Sequence, residues 1–168
     1  MSIEHRMAQL FGMDDATWKR HANPWSLWTR VAGAPFILLA IWSFGWIGIW
    51  AIIPLAAMFI WLWINPRLFA PPHTTQHWES KATFGERVWL NRHQLDIPAH
   101  HEKSARVLGV IGSLGFLLAI VSAGAHWFWP CVAGYAVHIL GKLWFCDRMV
   151  WLYGDMKDKD PEYGRWLY

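Results

Sequence analysis

Over two long stretches the sequence has no ionisable side chain. Val31 to Ile64 runs thirty-four residues without Lys, Arg, Asp, Glu or His, and Val107 to Ala125 runs nineteen more. A helix needs only about 20 apolar residues to cross the hydrocarbon core of a bilayer, so the first run is long enough for two. Cysteine is also scarce: Cys131 and Cys146 are the two thiols, and both fall in one apolar stretch. Along a helix they lie about 22 Å apart, which excludes a bridge between them within one chain. There is no glycine-rich phosphate loop, dinucleotide fingerprint, CxxC pair, HExxH helix or nucleophile elbow, which removes the common enzyme classes while leaving an unusual one open. Nor is there a single-sign basic tract. The net charge of +3 and pI near 9.0 therefore suit anionic lipid headgroups, and no nucleic-acid partner is expected.

What is present is apolar, aromatic and ordered along the chain. The small residues of "SFGW", 43–46, permit a tight turn inside the first run, and a second turn falls at "AGAHW", 123–127. The spacing predicts an all-α polytopic membrane protein with four transmembrane helices, about 26–43, 47–64, 105–123 and 127–145, paired as two hairpins. One membrane domain, 1–168, then divides into an interfacial segment (1–25), hairpin one (26–64), a loop (65–104), hairpin two (105–145) and a tail (146–168). The opening "MSIEHRMAQLFGMDD" mixes charges of both signs, unlike a signal peptide, so helix one is expected to stay in the mature protein.

All fifteen Lys and Arg fall in three segments, the N-terminal part up to Arg30, the central loop with the start of the third helix up to Arg106, and the C-terminal end from Lys142, and none lies at the turns near 44 and 124. By the positive-inside bias, both termini and the central loop face the cytoplasm of a prokaryotic inner membrane. The fifteen Trp fit the same frame. Trp25, Trp28, Trp61, Trp63, Trp144 and Trp151 map to one interface, and Trp42, Trp46, Trp50, Trp127 and Trp129 map to the other, as two aromatic belts.

Gly115, Ala119 and Ala123 recur every fourth residue, with Gly109 and Ser113 beside them, so helix 105–123 is suited to close packing, including against a protein partner or a second copy. Pro35 and Pro54 are expected to kink their helices. Short amphipathic helices are expected on the cytoplasmic face: one carries Ile3, Met7, Leu10 and Phe11 on one side, and a second is capped by Asp14 or Asp15 and ended by Asn23-Pro24. "ERVWLNR" (86–92) and "DRMVWLYGD" (147–155) echo one another after the two hairpins, as a duplicated hairpin unit would produce.

The blocks "HANPWSLWTR" (21–30), "NPRLF" (65–69), "GERVWLNR" (85–92) and "GKLWFCDRMVWLY" (141–153) resemble those of a family of small prokaryotic membrane proteins described only as a domain of unknown function. The resemblance spans nearly the whole chain. It implies membership and a membrane location, and it implies no activity.

Three groups of residues carry candidate chemistry. Glu86-Arg87 and Asp147-Arg148 lie at the inner boundary with Arg30, Arg67 and Arg92, where charges persist only when paired. These Arg suit a lipid phosphate or another anion, with Glu86, Asp147 or His21 as candidate acid or base. His93, His100 and His101 are candidate metal ligands, and a metal there is the cofactor the sequence offers if it has one. "HTTQH" (73–77) has His-x-x-x-His spacing, but it follows Pro71-Pro72, which disfavours helix. His138 sits at mid-membrane depth and is expected to hydrogen-bond a neighbouring helix, for instance at Ser113. The leading reading is a non-catalytic accessory, scaffold or lipid-contacting subunit. A membrane-interfacial enzyme using the Glu, Asp, Arg and His groups stays open as the alternative, whereas one mid-membrane ionisable residue makes a transporter a poor fit.

Overall fold

The computed structural model describes residues 13–92 and 95–168, and among these there are helices and turns but no strand. The expected amphipathic helix on Ile3 to Phe11 and the candidate ligand His93 lie outside the described residues. The order is α1 (Asp15–His21), α2 (Pro24–Trp42), α3 (Phe44–Ile47), a 3₁₀ turn (Gly48–Ala51), α4 (Ile52–Leu68), α5 (Trp78–Leu90), α6 (Ala99–Gly124), α7 (Phe128–Met156) and α8 (Pro161–Gly164).

Local chemistry sets these boundaries. The Asp14 side chain accepts from the Thr17 amide at 2.7 Å and starts α1. Asn23 accepts from the Trp25 amide, with Pro24 following in the first turn of α2, where its missing N–H costs nothing. Pro54 likewise falls in the first turn of α4, while Pro66 sits in its last turn and α4 runs on to Leu68. The Pro71–His77 segment is not helical, as its prolines imply. Instead Thr75 is buried there and donates its amide to the Tyr168 carbonyl at 2.8 Å, tying this loop to the C-terminal residues.

Helices α2 and α4 fold back on each other about the 43–51 turn, with Ser26 opposite Asn65 and Gly33 opposite Met58 and Trp61. Helices α6 and α7 form a second antiparallel pair in which Gly112 meets Gly141 and Gly115 meets Gly134 and His138. A Cβ on Gly134 would lie 2.6 Å from the Ala119 amide nitrogen, so the two backbones touch. The small-residue stripe read from the sequence is therefore filled from within the chain. The two turns meet as well: His126, at φ 58°, donates from Nε2 to the Trp42 carbonyl at 3.0 Å, and its ring fills the space that a Cβ on Gly45 would need.

The largest core lies at the other end, here termed the base. There α5 packs along the C-terminal half of α7, burying Phe84, Val88 and Trp89 against Met149, Leu152 and Tyr153. Gly85 sits directly on the Met149 carbonyl, leaving no room for a side chain. The two echoing segments are thus packed face to face. Residues 78–90, inside the segment read as a loop between the hairpins, form a helix, and the fourth long helix continues past 145 to Met156.

Among the described residues two segments are long and apolar enough to cross a membrane: Pro24–Leu68, which is folded as the first hairpin, and Ala99–Gly124. Four such segments were expected. Helix α7 has the length, 29 residues, but His138 and Lys142 interrupt its apolar run. Phe36, Leu39, Phe59, Ile60, Leu114, Leu117 and Leu140 are each more than half exposed on the outer helical faces.

Candidate functional site

Helix α7 turns the row His138, Lys142, Cys146 inward, spaced four residues apart on one face, and Met149 continues that face toward α5. The Gly85–Met149 contact brings α5 so close that the next residue, Glu86, reaches this row. Its Oε1 accepts from Lys142 Nζ at 3.3 Å. Burial favours the neutral acid, but the Lys142 and Arg30 cations outweigh it and hold the Glu86 carboxyl below its ordinary value.

These groups line a partly open cavity of about 270 Å³ bordered by α2, α4, α5, α6 and α7. Its polar groups include Arg30, Thr83, Glu86, His138 and Lys142, and its apolar wall includes Leu27, Val31, Ala34, Ile37, Leu62 and Phe116. A second, more open hollow of about 530 Å³ lies between α5, α6 and α7 and shares Glu86, His138 and Lys142 with the first. The Glu86–Lys142 pair thus forms part of the wall between two hollows.

Arg30 enters the smaller cavity from α2. Its Nε donates to the Ser26 carbonyl at 2.9 Å, and no carboxylate lies within ion-pair distance of it among the described residues. With Arg30 and Lys142 positive and Glu86 negative, these three side chains give the cavity one net positive charge in a largely apolar shell.

Beside the cavity runs a buried polar chain. His21 Nδ1 lies 2.9 Å from Ser26 Oγ, which donates to Asn65 Oδ1 at 2.8 Å, and Asn65 Nδ2 donates to Thr29 Oγ1 at 2.9 Å. Ser80 on α5 donates to the Ala22 carbonyl at 2.7 Å and ties α5 to the same corner. Burial, with Arg30 and Lys142 nearby, pushes the His21 imidazole well below its ordinary value, so the ring is neutral at pH 7.

The sequence-derived residues therefore separate. Glu86, Asp147 and His21 do not converge on one pocket. Glu86 lines both hollows, His21 ends the Ser26–Asn65 chain, and Asp147 accepts from Trp78 Nε1 at 3.3 Å and from Arg148 at 2.8 Å. Glu86 and Arg87 are not paired: Arg87 points away to Asp15 and Glu162 and stacks over the Trp166 ring at 4.3 Å. Arg67 lies over Trp63 and Arg92 over Trp89, with centroid distances of 4.7 and 4.2 Å, and Arg92 also borders the larger hollow. His138 donates from Nδ1 to the Gly112 carbonyl at 3.0 Å rather than to Ser113, and its ring lies 4.6 Å from that of Phe116. His100 and His101 sit side by side at the start of α6, and His101 Nε2 lies 2.8 Å from Asp155 Oδ2 on α7.

Sequence reasoning missed Lys142 as the partner of Glu86 and Asp155 as the partner of His101. The four-residue spacing of His138, Lys142 and Cys146 was a readable signal for the first. The second contact spans 54 positions and left none.

Residues 2–165 match the family described as "Family of unknown function (DUF6653)", and the chain belongs to that family. Neither a curated protein nor a solved structure matches it.

Proposed function

We propose that this member of a family of unknown function is an integral membrane protein of the prokaryotic inner membrane whose four long helices all span, and that it binds an anionic amphiphile, carboxylate- or phosphate-headed, without catalysing a reaction on it. The carrying observation is Arg30: a guanidinium without a carboxylate partner among the described residues, lining a largely apolar cavity. An ionisable group at such a place is functional by default, and a planar guanidinium suits an anionic oxygen headgroup. The wall of Leu27, Val31, Ala34, Ile37, Leu62 and Phe116 suits a hydrocarbon chain.

Three further features support the membrane part of the reading. Large apolar side chains are exposed on the outer faces of both hairpins, a pattern that water does not favour. Exposed Trp lie at both ends: Trp46, Trp50, Trp127 and Trp129 at the turns, and Trp25, Trp63, Trp144 and Trp151 toward the base. Within α7, the polar groups that a span would have to bury are already engaged, His138 with a carbonyl and Lys142 with Glu86. The separation of Glu86, Asp147 and His21 counts against the enzymatic alternative, which needs acid and base around one substrate.

The test is equilibrium binding to protein purified in a non-ionic detergent, with dodecyl phosphate, laurate, dodecyltrimethylammonium and inorganic phosphate as probes. The two anionic amphiphiles are expected to bind and the cation is not. Arg30→Gln should weaken anionic binding about ten-fold or more, the scale of one charge-assisted hydrogen bond. Equal binding of the cationic probe, or no effect of Arg30→Gln, would overturn the reading. Inorganic phosphate binding as tightly as dodecyl phosphate would replace the amphiphile with a free anion and overturn that part.

A further inference from the structure

We infer that His100, His101 and Asp155 form a three-ligand site for a divalent transition metal, separate from the amphiphile cavity, that joins the base of α6 to the C-terminal half of α7. Nitrogen donors of the two imidazoles and a carboxylate oxygen of Asp155 all lie within 4.8 Å of one another. Around a tetrahedral zinc ion with bonds of about 2.0–2.2 Å, ligand atoms stand roughly 3.3–3.6 Å apart. The widest of the three pairs would close by about 1.2–1.5 Å at most, while His101 Nε2 and Asp155 Oδ2, now 2.8 Å apart, would open by about 0.5–0.8 Å.

The burial pattern suits that movement. His101 is buried and fixed, its side chain only 4% exposed, whereas the Asp155 side chain is 52% exposed and His100 is also exposed. One rigid ligand thus stands beside two that can rotate toward it. The rings of His100 and His101 are 4.1 Å apart and inclined by 40°, so the two imidazoles already occupy one corner. Asp155 arrives from the other helix and contacts His101 Nε2 at 2.8 Å, so these two donors already face one point, and the His101 tautomer with its proton on Nδ1 leaves Nε2 free to ligate. Two nitrogens and one oxygen leave a fourth position for water, the donor set of an open zinc site, and the same set also serves Fe(II). Lys159 lies close enough to act on Asp155 and tempers the negative potential there.

The experiment uses full-length protein in detergent, free of tag histidines and stripped with chelator, titrated with Zn²⁺ while heat release and thermal midpoint are followed. One ion per chain is expected, with a midpoint that rises with Zn²⁺ concentration because the ion binds the folded form. Cobalt(II) should give the intense visible absorption of a tetrahedral site. His101→Ala removes a buried ring and so tests folding as well as binding. The deciding variants are therefore His100→Ala and Asp155→Ala, both at exposed side chains, with circular dichroism confirming the fold. Each should weaken Zn²⁺ binding at least ten-fold, while His73→Ala/His77→Ala leaves it unchanged. Binding far below one ion per chain, binding indifferent to both deciding variants, or binding lost with His73 and His77 would overturn the inference. None of these outcomes depends on whether an amphiphile binds at Arg30.

Discussion

Lys142 Nζ stands 3.3 Å from Glu86 Oε1, so the wall between the two hollows is an ion pair formed by residues from different helices. Both side chains keep partial exposure, 40% and 30%, and the pair is worth only about 1 kcal/mol to the fold. Its larger effect is on charge. Glu86→Gln changes the cavity from one net positive charge to two, so affinity for dodecyl phosphate should rise several-fold while the thermal midpoint falls by a few degrees. Unchanged or weaker binding in an intact fold would contradict the role assigned to the cavity charge.

His21 predicts a pH dependence whose sign follows from its burial. Its folded pKa is depressed below the ordinary 6.5 because burial and the neighbouring cations disfavour the imidazolium. Below pH 6.5 the unfolded chain takes up a proton that the folded chain does not, so stability is full above that value and falls as pH drops toward the folded pKa. His21→Gln keeps a polar partner for Ser26 and does not titrate. Melting curves between about pH 7.5 and 5 should show the wild-type midpoint falling more steeply than that of the variant; parallel curves would mean that His21 does not titrate differently on unfolding.

Much of this architecture was legible because apolar length is a strong signal. Both turns, the small-residue packing of Gly115, Ala119 and Ala123, the Asp14 cap and the non-helical "HTTQH" all follow from local chemistry. Helix α5 was hidden because charge dominates residues 78–92, although Ser80, Phe84 and Val88 recur every fourth residue and all are buried. The extension of α7 was hidden in the same way: Met149, Leu152, Tyr153 and Met156 are buried at helical spacing among charged neighbours. The acid–Arg pairs were read as equivalent because their sequences look alike. In the fold Asp147 does hold Arg148, but Glu86 faces inward, away from Arg87. The partner of His138 was beyond sequence, because it is a main-chain carbonyl.

Gly85 and Gly109 make a controlled pair. At Gly85 a new Cβ would overlap the Met149 carbonyl, which is backbone and cannot swing aside, so Gly85→Ala should cost about 1–3 kcal/mol or more by prising α5 from α7. At Gly109, inside α6, nothing lies within 4 Å of a new Cβ, and Gly109→Ala should stabilise by about 0.5–1 kcal/mol through backbone entropy. Thermal midpoints in detergent should therefore move in opposite directions. A common direction would mean that α5 does not dock on α7 this closely.

The four-span reading rests most heavily on α7, whose apolar run is broken by His138 and Lys142. If α7 crosses, Ala125 and Lys159, just beyond its two ends, stand on opposite sides of the membrane. The absence of Lys and Arg from both turns then puts Ala125 outside. Cys131 and Cys146 are buried, and replacing both with Ala gives a silent background for single reporters. Ala125→Cys should react with a membrane-impermeant maleimide added to intact spheroplasts, and Lys159→Cys only after lysis. Reaction of both before lysis, or of neither, would put the two positions on one side and leave α7 lying along the bilayer. The reversed pattern would keep α7 as a span and invert the protein, moving the Arg30 cavity and the His100–His101–Asp155 cluster away from the cytoplasmic face.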